Sequence, residues 1–277
     1  MSSIQDQNSS TGSVKKDKGG DLYKSSTRLD LGNKITFWII VILSAVRAAA
    51  PVFLPDWLSY LQVGVIALNI ILWILNDYFF LYFAERERRK FAIHDGFGVD
   101  LTDYTTDEYF DNQLPPSENK YFIDIYESNY YSKDISKKMI PHAIFYTILA
   151  VGVLILAIWK VQNTALVLVA AEAVFSSSVL MKTIAVFVYS YHMGKLINIP
   201  YRIFITEGKI GTAQRAMLLD YAVEYEAVKA HYKVALDSKI YKKNNERLEK
   251  EWRELKSRLH YQIEDVEKEN TIVSSTH

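Results

Sequence analysis

Glu172, Ser176, Val179 and Thr183 recur at three- and four-residue spacing, which places them on one stripe of a helix. They lie inside an otherwise apolar run, Thr164 to Gly194, beside the small residues Ala170, Ala171 and Ala173. A carboxylate and hydroxyls on one face, flanked by small side chains, suit the lining of a water-filled path in an oligomer. An ionisable group at a bilayer centre costs roughly 2.5–3.5 kcal/mol on insertion scales, so polar residues there are candidates for function. Lys182 follows Glu172 by ten positions. That is some 15 Å along the helix and about 80° round it, so the two do not pair within one helix. The alternative ends the span near Met181, with Lys182 snorkelling to the headgroups and Val186 to Leu196 forming a juxtamembrane helix. Arg47 in the first apolar run, and Asn69, Asn76 and Asp77 in the second, belong with these pore-lining candidates. Asn69 equally suits a hydrogen bond to a neighbouring helix.

Arg86, Arg88, Arg89 and Lys90 follow the second apolar run directly. Four cations in five positions can receive a phosphate, from a ligand or from anionic lipid, and at that position they also anchor topology. Other chemistry is excluded by spacing. Gly208-Lys209-Ile210-Gly211 lacks the form of a phosphate loop, and Asp95-Gly96-Phe97-Gly98 reads as a turn between aromatics. The six His are scattered, without the spacing of a metal site, and no nucleophile elbow or dinucleotide fingerprint is found. Cysteine is absent, which removes disulfides, thiolate nucleophiles and Cys-bound zinc. The expectation is a protein that is not an enzyme and needs no cofactor or metal.

The elements that carry these residues are four apolar runs, Ile35 to Leu54, Trp57 to Phe83, Ile140 to Trp159 and Thr164 to Gly194. Each has about 20 residues or more, enough at 1.5 Å per residue to cross the roughly 30 Å of a bilayer's hydrocarbon. In lipid the backbone must satisfy itself, so each is expected to be a helix. The fold class expected is an all-α membrane protein with four transmembrane helices, paired two and two. Lys15, Lys16, Lys18, Lys24, Arg28 and Lys34 precede the first run, Lys133, Lys137 and Lys138 the third, and Lys195 and Arg202 follow the fourth. The short connections near Pro55-Asp56 and Lys160 to Asn163 carry little positive charge. The positive-inside rule then puts both termini and the central insert in the cytoplasm, on the inner membrane. The whole chain carries 32 basic and 32 acidic residues, so no DNA partner is expected.

Residues 1–30, rich in Ser, Gly and Lys, read as a disordered tail, and residues 31–84 as the first pair of spans. The insert, 85–138, opens basic and turns acidic, with Phe97, Tyr104, Tyr109, Phe110, Tyr121, Phe122, Tyr126, Tyr130 and Tyr131 interleaved. So many aromatics argue for a small folded unit or a surface docked on the C-terminal helices, broken in two by Pro115-Pro116. Residues 139–199 hold the second pair of spans and 200–277 a helical region. There Leu218, Tyr221, Tyr225, Val228 and Tyr232 make a heptad seam, interrupted at Asn244-Asn245. Leu248, Trp252, Leu255 and Leu259 restart it. Two helices joined at the Asn pair either fold back as a hairpin or zip against sister chains in a homo-oligomer.

This layout resembles the four-transmembrane effectors associated with bacterial SMODS-type nucleotidyltransferases, of the CBASS class of anti-phage systems. The likeness rests on the two-plus-two spans, on Glu85-Arg-Glu-Arg-Arg-Lys-Phe-Ala-Ile-His-Asp-Gly-Phe-Gly-Val-Asp-Leu, on Tyr130-Tyr-Ser-Lys-Asp-Ile-Ser-Lys-Lys-Met before the third span, and on the charged helical tail. It covers most of residues 35 to 260 as architecture and local pattern, and carries over no catalytic or nucleotide-binding residue. The resemblance implies a membrane-perturbing protein triggered by a cyclic oligonucleotide from a partner enzyme. The competing expectation is a non-conducting scaffold that recruits a soluble defence partner through its C-terminal helices. A small transporter is a third, disfavoured because the halves show no repeat and no mid-membrane helix pair broken by Gly or Pro.

Overall fold

The computed structural model describes residues 22–49, 57–102, 110, 114–160, 179–207 and 210–259, and among these the regular structure is all helix. Helix α1 is Lys24–Ala49 and α2 is Trp57–Leu75. A π-helical turn, Asn76–Phe80, leads straight into α3, Leu81–Phe97. Helix α4 is Glu118–Lys160, α5 Val179–Leu196 and the short α6 Asn198–Tyr201. A second π-helical stretch, Arg202–Glu207, precedes α7, Thr212–Tyr232, and α8, Ser238–Lys256.

From α2 through α3 the chain is one continuous helix, Trp57–Phe97, and this one is long and apolar enough to cross a membrane. Only 11% of its most apolar window is buried within the chain. A core helix of a soluble protein hides such a face; this one leaves Val63, Leu68, Ile71 and Ile74 exposed. The same outward greasiness continues on α1 at Ile35, Ile39 and Ile42, on α4 at Phe145, Ile148 and Ile155, and on α5 at Met181, Ile184 and Phe187.

The insert is not a separate unit. Its first part is the end of the α2–α3 helix, and its last part is the first half of α4, which runs 43 residues to Lys160. The break between them is local chemistry. Gly98 closes α3 at φ +66°, a left-handed conformation that favours glycine, and its N–H reaches His94 O at 2.8 Å. Gly96 lets α4 approach: a Cβ there would sit 2.7 Å from Tyr121 Cβ. After Pro115-Pro116, Ser117 caps α4 by accepting from Lys120 N at 3.2 Å. Of the two expectations for the insert, docking on the C-terminal helices is the one the structure takes.

That docking builds the main core. Phe122, Ile123 and Tyr126 of α4 meet Tyr189 and Met193 of α5, Phe204 of the second π-helical stretch, Tyr221 and Tyr225 of α7, and Trp252 of α8. Tyr126 and Trp252 pack edge to face with centroids 5.3 Å apart. The heptad seam is therefore covered inside one chain: Leu218, Tyr221, Tyr225, Val228, Leu248, Trp252, Leu255 and Leu259 are all buried, and Tyr232 stacks on His192. The seam is packed within the chain, against other helices instead of chiefly between α7 and α8. Helix α7 lies on α4, α5 and α6, and α8 lies on α4. The expected break at Asn244-Asn245 is also corrected. Both residues sit inside α8, where Asn244 Nδ2 donates to Ile240 O at 2.7 Å while its Oδ1 accepts from Lys138 Nζ of α4. The break comes earlier: Lys233, at φ +48°, ends α7, and Asp237 caps α8 by accepting from Lys239 N and Ile240 N.

Candidate functional site: a buried ionic joint

Charge inside a fold is costly unless paired, so buried ions mark where a protein has spent specificity. One such cluster sits where the apolar-clad helices meet the core. Helix α3 carries Glu85, Arg88 and Arg89; α7 carries Glu226 and Lys229; Tyr23, just ahead of α1, reaches in from the third side. Arg88 is only 4% exposed. Its Nε donates to Glu85 Oε2 at 2.9 Å, and its Nη2 donates to both oxygens of Glu226 at 2.8 and 2.7 Å. Lys229 Nζ stands 3.3 Å from Glu85 Oε2, Arg89 Nε 3.2 Å from Glu226 Oε2, and Tyr23 Oη donates to Glu85 Oε1 at 2.8 Å.

The electrostatics follow from this geometry. Burial pushes the Glu85 carboxyl up, but Lys229 and Arg88 more than offset it and hold the group down to about 2. Burial likewise works against the Arg88 cation, and Glu85 and Glu226 overcome it, raising its pKa well above the ordinary value. Below the cluster lies a layer of phenols. Burial raises Tyr189, Tyr221 and Tyr225, and the faces of Tyr225 receive Arg88 and Lys229 at 5.9 and 5.7 Å. The joint thus ties the start of α1, the end of the α2–α3 helix and the middle of α7 into one electrostatic unit. Among the described residues, Arg88 Nη1 has no acceptor.

The phosphate candidates are accordingly divided. Arg88 is spent mainly on structure: two carboxylates occupy its Nε and Nη2, and only Nη1 is left without an acceptor. Arg89 shares Glu226, and Lys90 pairs with Glu87 at 2.9 Å. Arg86 remains exposed on the opposite side of α3. An open cleft of about 300 Å³ beside them is lined by Glu87, Lys90, Asp100, Leu101 and Thr102, where Glu87 accepts from both Lys90 and Thr102.

The described pore-lining candidates, Lys182, Thr183 and Asn69, each make contacts between helices. Glu172 and Ser176 lie outside the described residues, as does the side chain of Arg47. Thr183 faces α4 rather than a lumen: its Oγ1 lies 2.8 Å from Thr147 Oγ1 and donates to the carbonyls of Ala143 and Val179. Lys182 stands 3.5 Å from Asp30 of α1, which also pairs with Lys34 at 2.8 Å. Asn69 is buried between helices, its Nδ2 donating to Thr36 Oγ1 at 2.6 Å and to Asn33 O at 3.1 Å. Both described candidates on α5, Lys182 and Thr183, thus serve helix-to-helix contact.

Tyr23, Glu226 and Lys229 were not legible as functional residues. Glu226 adjoins a seam tyrosine and Lys229 follows it by three, a pattern that any solvated helix face also shows. Among the described residues no group of three or more His, Asp and Glu gathers in a metal-binding arrangement. No protein-family model, curated protein or solved structure matches this chain.

Proposed function

We propose that this chain is a multi-pass inner-membrane protein, with both termini cytoplasmic, that acts as a pore- or leak-forming effector of bacterial anti-phage defence. The observation that carries this reading is the ionic joint. It fastens the first two apolar helices to the C-terminal helices through a few charges that stand or fall together. Such a unit has the makings of a two-state element: a ligand that binds the parted form better than the joined form shifts the population toward the parted form. The unsatisfied Arg88 Nη1 favours an anionic trigger, and a cyclic oligonucleotide has that chemistry. The apolar surfaces of α1, α2, α4 and α5 support the four-span arrangement.

The test is reconstitution of the full chain in liposomes holding a self-quenched dye and a potassium gradient. Release is expected on addition of cyclic oligonucleotides, and from Glu226→Gln without them, since that change leaves shape intact while loosening Arg88. Silence of both at every protein density sinks the reading. One observation favours the scaffold instead: Leu219 and Val223, one turn apart, leave an apolar strip exposed on α7, outside the apolar runs. A scaffold retains a soluble partner on that strip and leaves the liposomes tight.

A further inference from the structure

Gln62, Asn69 and Asn76 stand seven residues apart on the α2 side of the α1–α2 interface, and all three are buried, at 1%, 4% and 2% exposure. Seven residues are nearly two helical turns, so the three amides form one stripe facing α1. Helix α1 answers with polar groups of its own. Gln62 Nε2 donates to Ser44 Oγ at 3.0 Å, and Asn69 donates to Thr36 and to the Asn33 carbonyl. Beyond that level the pairing fails. Both amide atoms of Asn33, itself 7% exposed, and Oδ1 of Asn76 have no partner. Interhelical glue needs donors and acceptors matched; buried amides left unmatched are the groups that hold water in a protein interior.

The orphaned end of the stripe is also its charged end. Asn76 Nδ2 donates to Asp77 Oδ1 at 3.3 Å, Asp77 lies within electrostatic reach of Lys182 and Asp30, and Asp30 binds Lys34. The π-helical turn begins at Asn76, a backbone irregularity frequent at functional sites. From Gln62 to Asn76 the stripe runs about 21 Å, some two-thirds of a hydrocarbon core about 30 Å thick. Carboxamides and hydroxyls both donate and accept. They can stand in for water around a small monovalent cation without fixing it.

We propose that the seam between α1 and α2 is a hydrated groove and the route by which a small monovalent cation crosses in the leak. The inference rests on the pore reading and assigns its path to this seam instead of the α5 stripe. The chain contains no cysteine, so single cysteines placed in it report alone. In native membranes, Asn33→Cys, Asn69→Cys and Asn76→Cys are expected to react with a charged, water-soluble thiosulfonate at least about tenfold faster than Val63→Cys, Leu68→Cys and Ile71→Cys, because only the hydrated thiolate attacks. In the Glu226→Gln background, Asn69→Leu and Asn76→Leu are expected to cut potassium flux from liposomes by about tenfold or more, and Asn69→Ser, which keeps a polar group, to retain it. Seam thiols no faster than the lipid-facing ones overturn the inference. So does flux unchanged by the Leu variants, which leaves the pore reading standing. Absence of flux from Glu226→Gln itself, and from wild type with cyclic oligonucleotide, retires both.

Discussion

Tyr189, Tyr221, Tyr225 and Trp252 are fully buried, whereas Trp57, Tyr60, Phe145 and Trp159 are 60, 78, 61 and 81% exposed. The first set belongs to the core made by α4, α5, α7 and α8, and the second to the faces of α2 and α4 that are apolar on the outside. Both regions are helical and aromatic, yet their side chains point opposite ways. The core-bearing region obeys the rule for water: large apolar groups inside, with ion pairs such as Arg247–Asp134 at 2.7 Å on its surface. The other region obeys the rule for lipid: amides and hydroxyls inside, hydrocarbon outside. Helices α4 and α5 run through both regions, so one rod changes its inside-out pattern along its length. The ionic joint lies where that change occurs.

The contrast is most exposed to test at its strongest contacts. Trp252→Ala is expected to cost about 3–5 kcal/mol, the range for deleting a large buried aromatic. Arg88→Ala is expected to cost a similar 3–5 kcal/mol, because it takes from Glu85 and Glu226 the buried cation they share and leaves each with weaker pairing. Denaturant titration of the detergent-solubilised chain measures both. Arg88→Ala falling within 1 kcal/mol of wild type would mean that water already fills the joint, and the two regions would lose their link.

Acid gives the next largest effect. Glu85 falls from an ordinary 4.5 to about 2 on folding, so its contribution is fully present above pH 4.5 and is lost as pH drops through 2. At 1.36 kcal/mol per pH unit that contribution is on the order of 3 kcal/mol. Glu85→Gln is expected to flatten the acid limb of the stability curve between pH 4.5 and 2. On the lipid-facing side, Ile71→Lys is expected to cost roughly 2.5–3.5 kcal/mol on membrane insertion. It should show as reduced membrane-inserted chain, while the same change at exposed Leu219 of α7 has no effect on insertion.

How much of this was legible depends on what each pattern encodes. Apolar length is a local property, so the run Trp57 to Phe83 and the apolar lengths of α1 and α4 could be read from the chain directly, whereas the continuation of that helix to Phe97 could not. The seam Leu218–Tyr221–Tyr225–Val228 was legible as a buried stripe, but periodicity names a face and not its partner. Only the fold reveals that α4, α5 and α6 cover it. Arg88 could not be singled out among its neighbouring cations, because Glu226, which turns it inward, is 138 residues away. The break at Lys233–Asp237 carried a signal in the Asp237-Ser238 cap, yet the Asn pair outweighed it. Asparagine opposes a helix through its side chain competing for backbone, and in α8 Asn244 satisfies that competition without leaving the helix. The amide stripe was half visible: Asn69 and Asn76 stood out as polar residues in an apolar run, but their seven-residue recurrence with Gln62 had to be seen against α1.

The smallest expected effect separates matched from unmatched polarity inside the core itself. Tyr221 Oη exchanges a hydrogen bond with Asn129 at 3.1 Å, deep between α7 and α4. Tyr189 is equally buried, but its hydroxyl has no partner within hydrogen-bond geometry. Removing the first oxygen strands Asn129, so Tyr221→Phe is expected to cost about 1 kcal/mol or somewhat more. Removing the second relieves an unpaid desolvation, so Tyr189→Phe is expected to be neutral or slightly stabilising under the same denaturant titration. If both changes cost the same, the Tyr189 hydroxyl has found a partner, and Ser132, which lies against it, is the side chain to change next. The double variant Tyr189→Phe, Ser132→Ala then reports whether the two hydroxyls interact: a loss smaller than the sum of the two single changes marks a hydrogen bond between them.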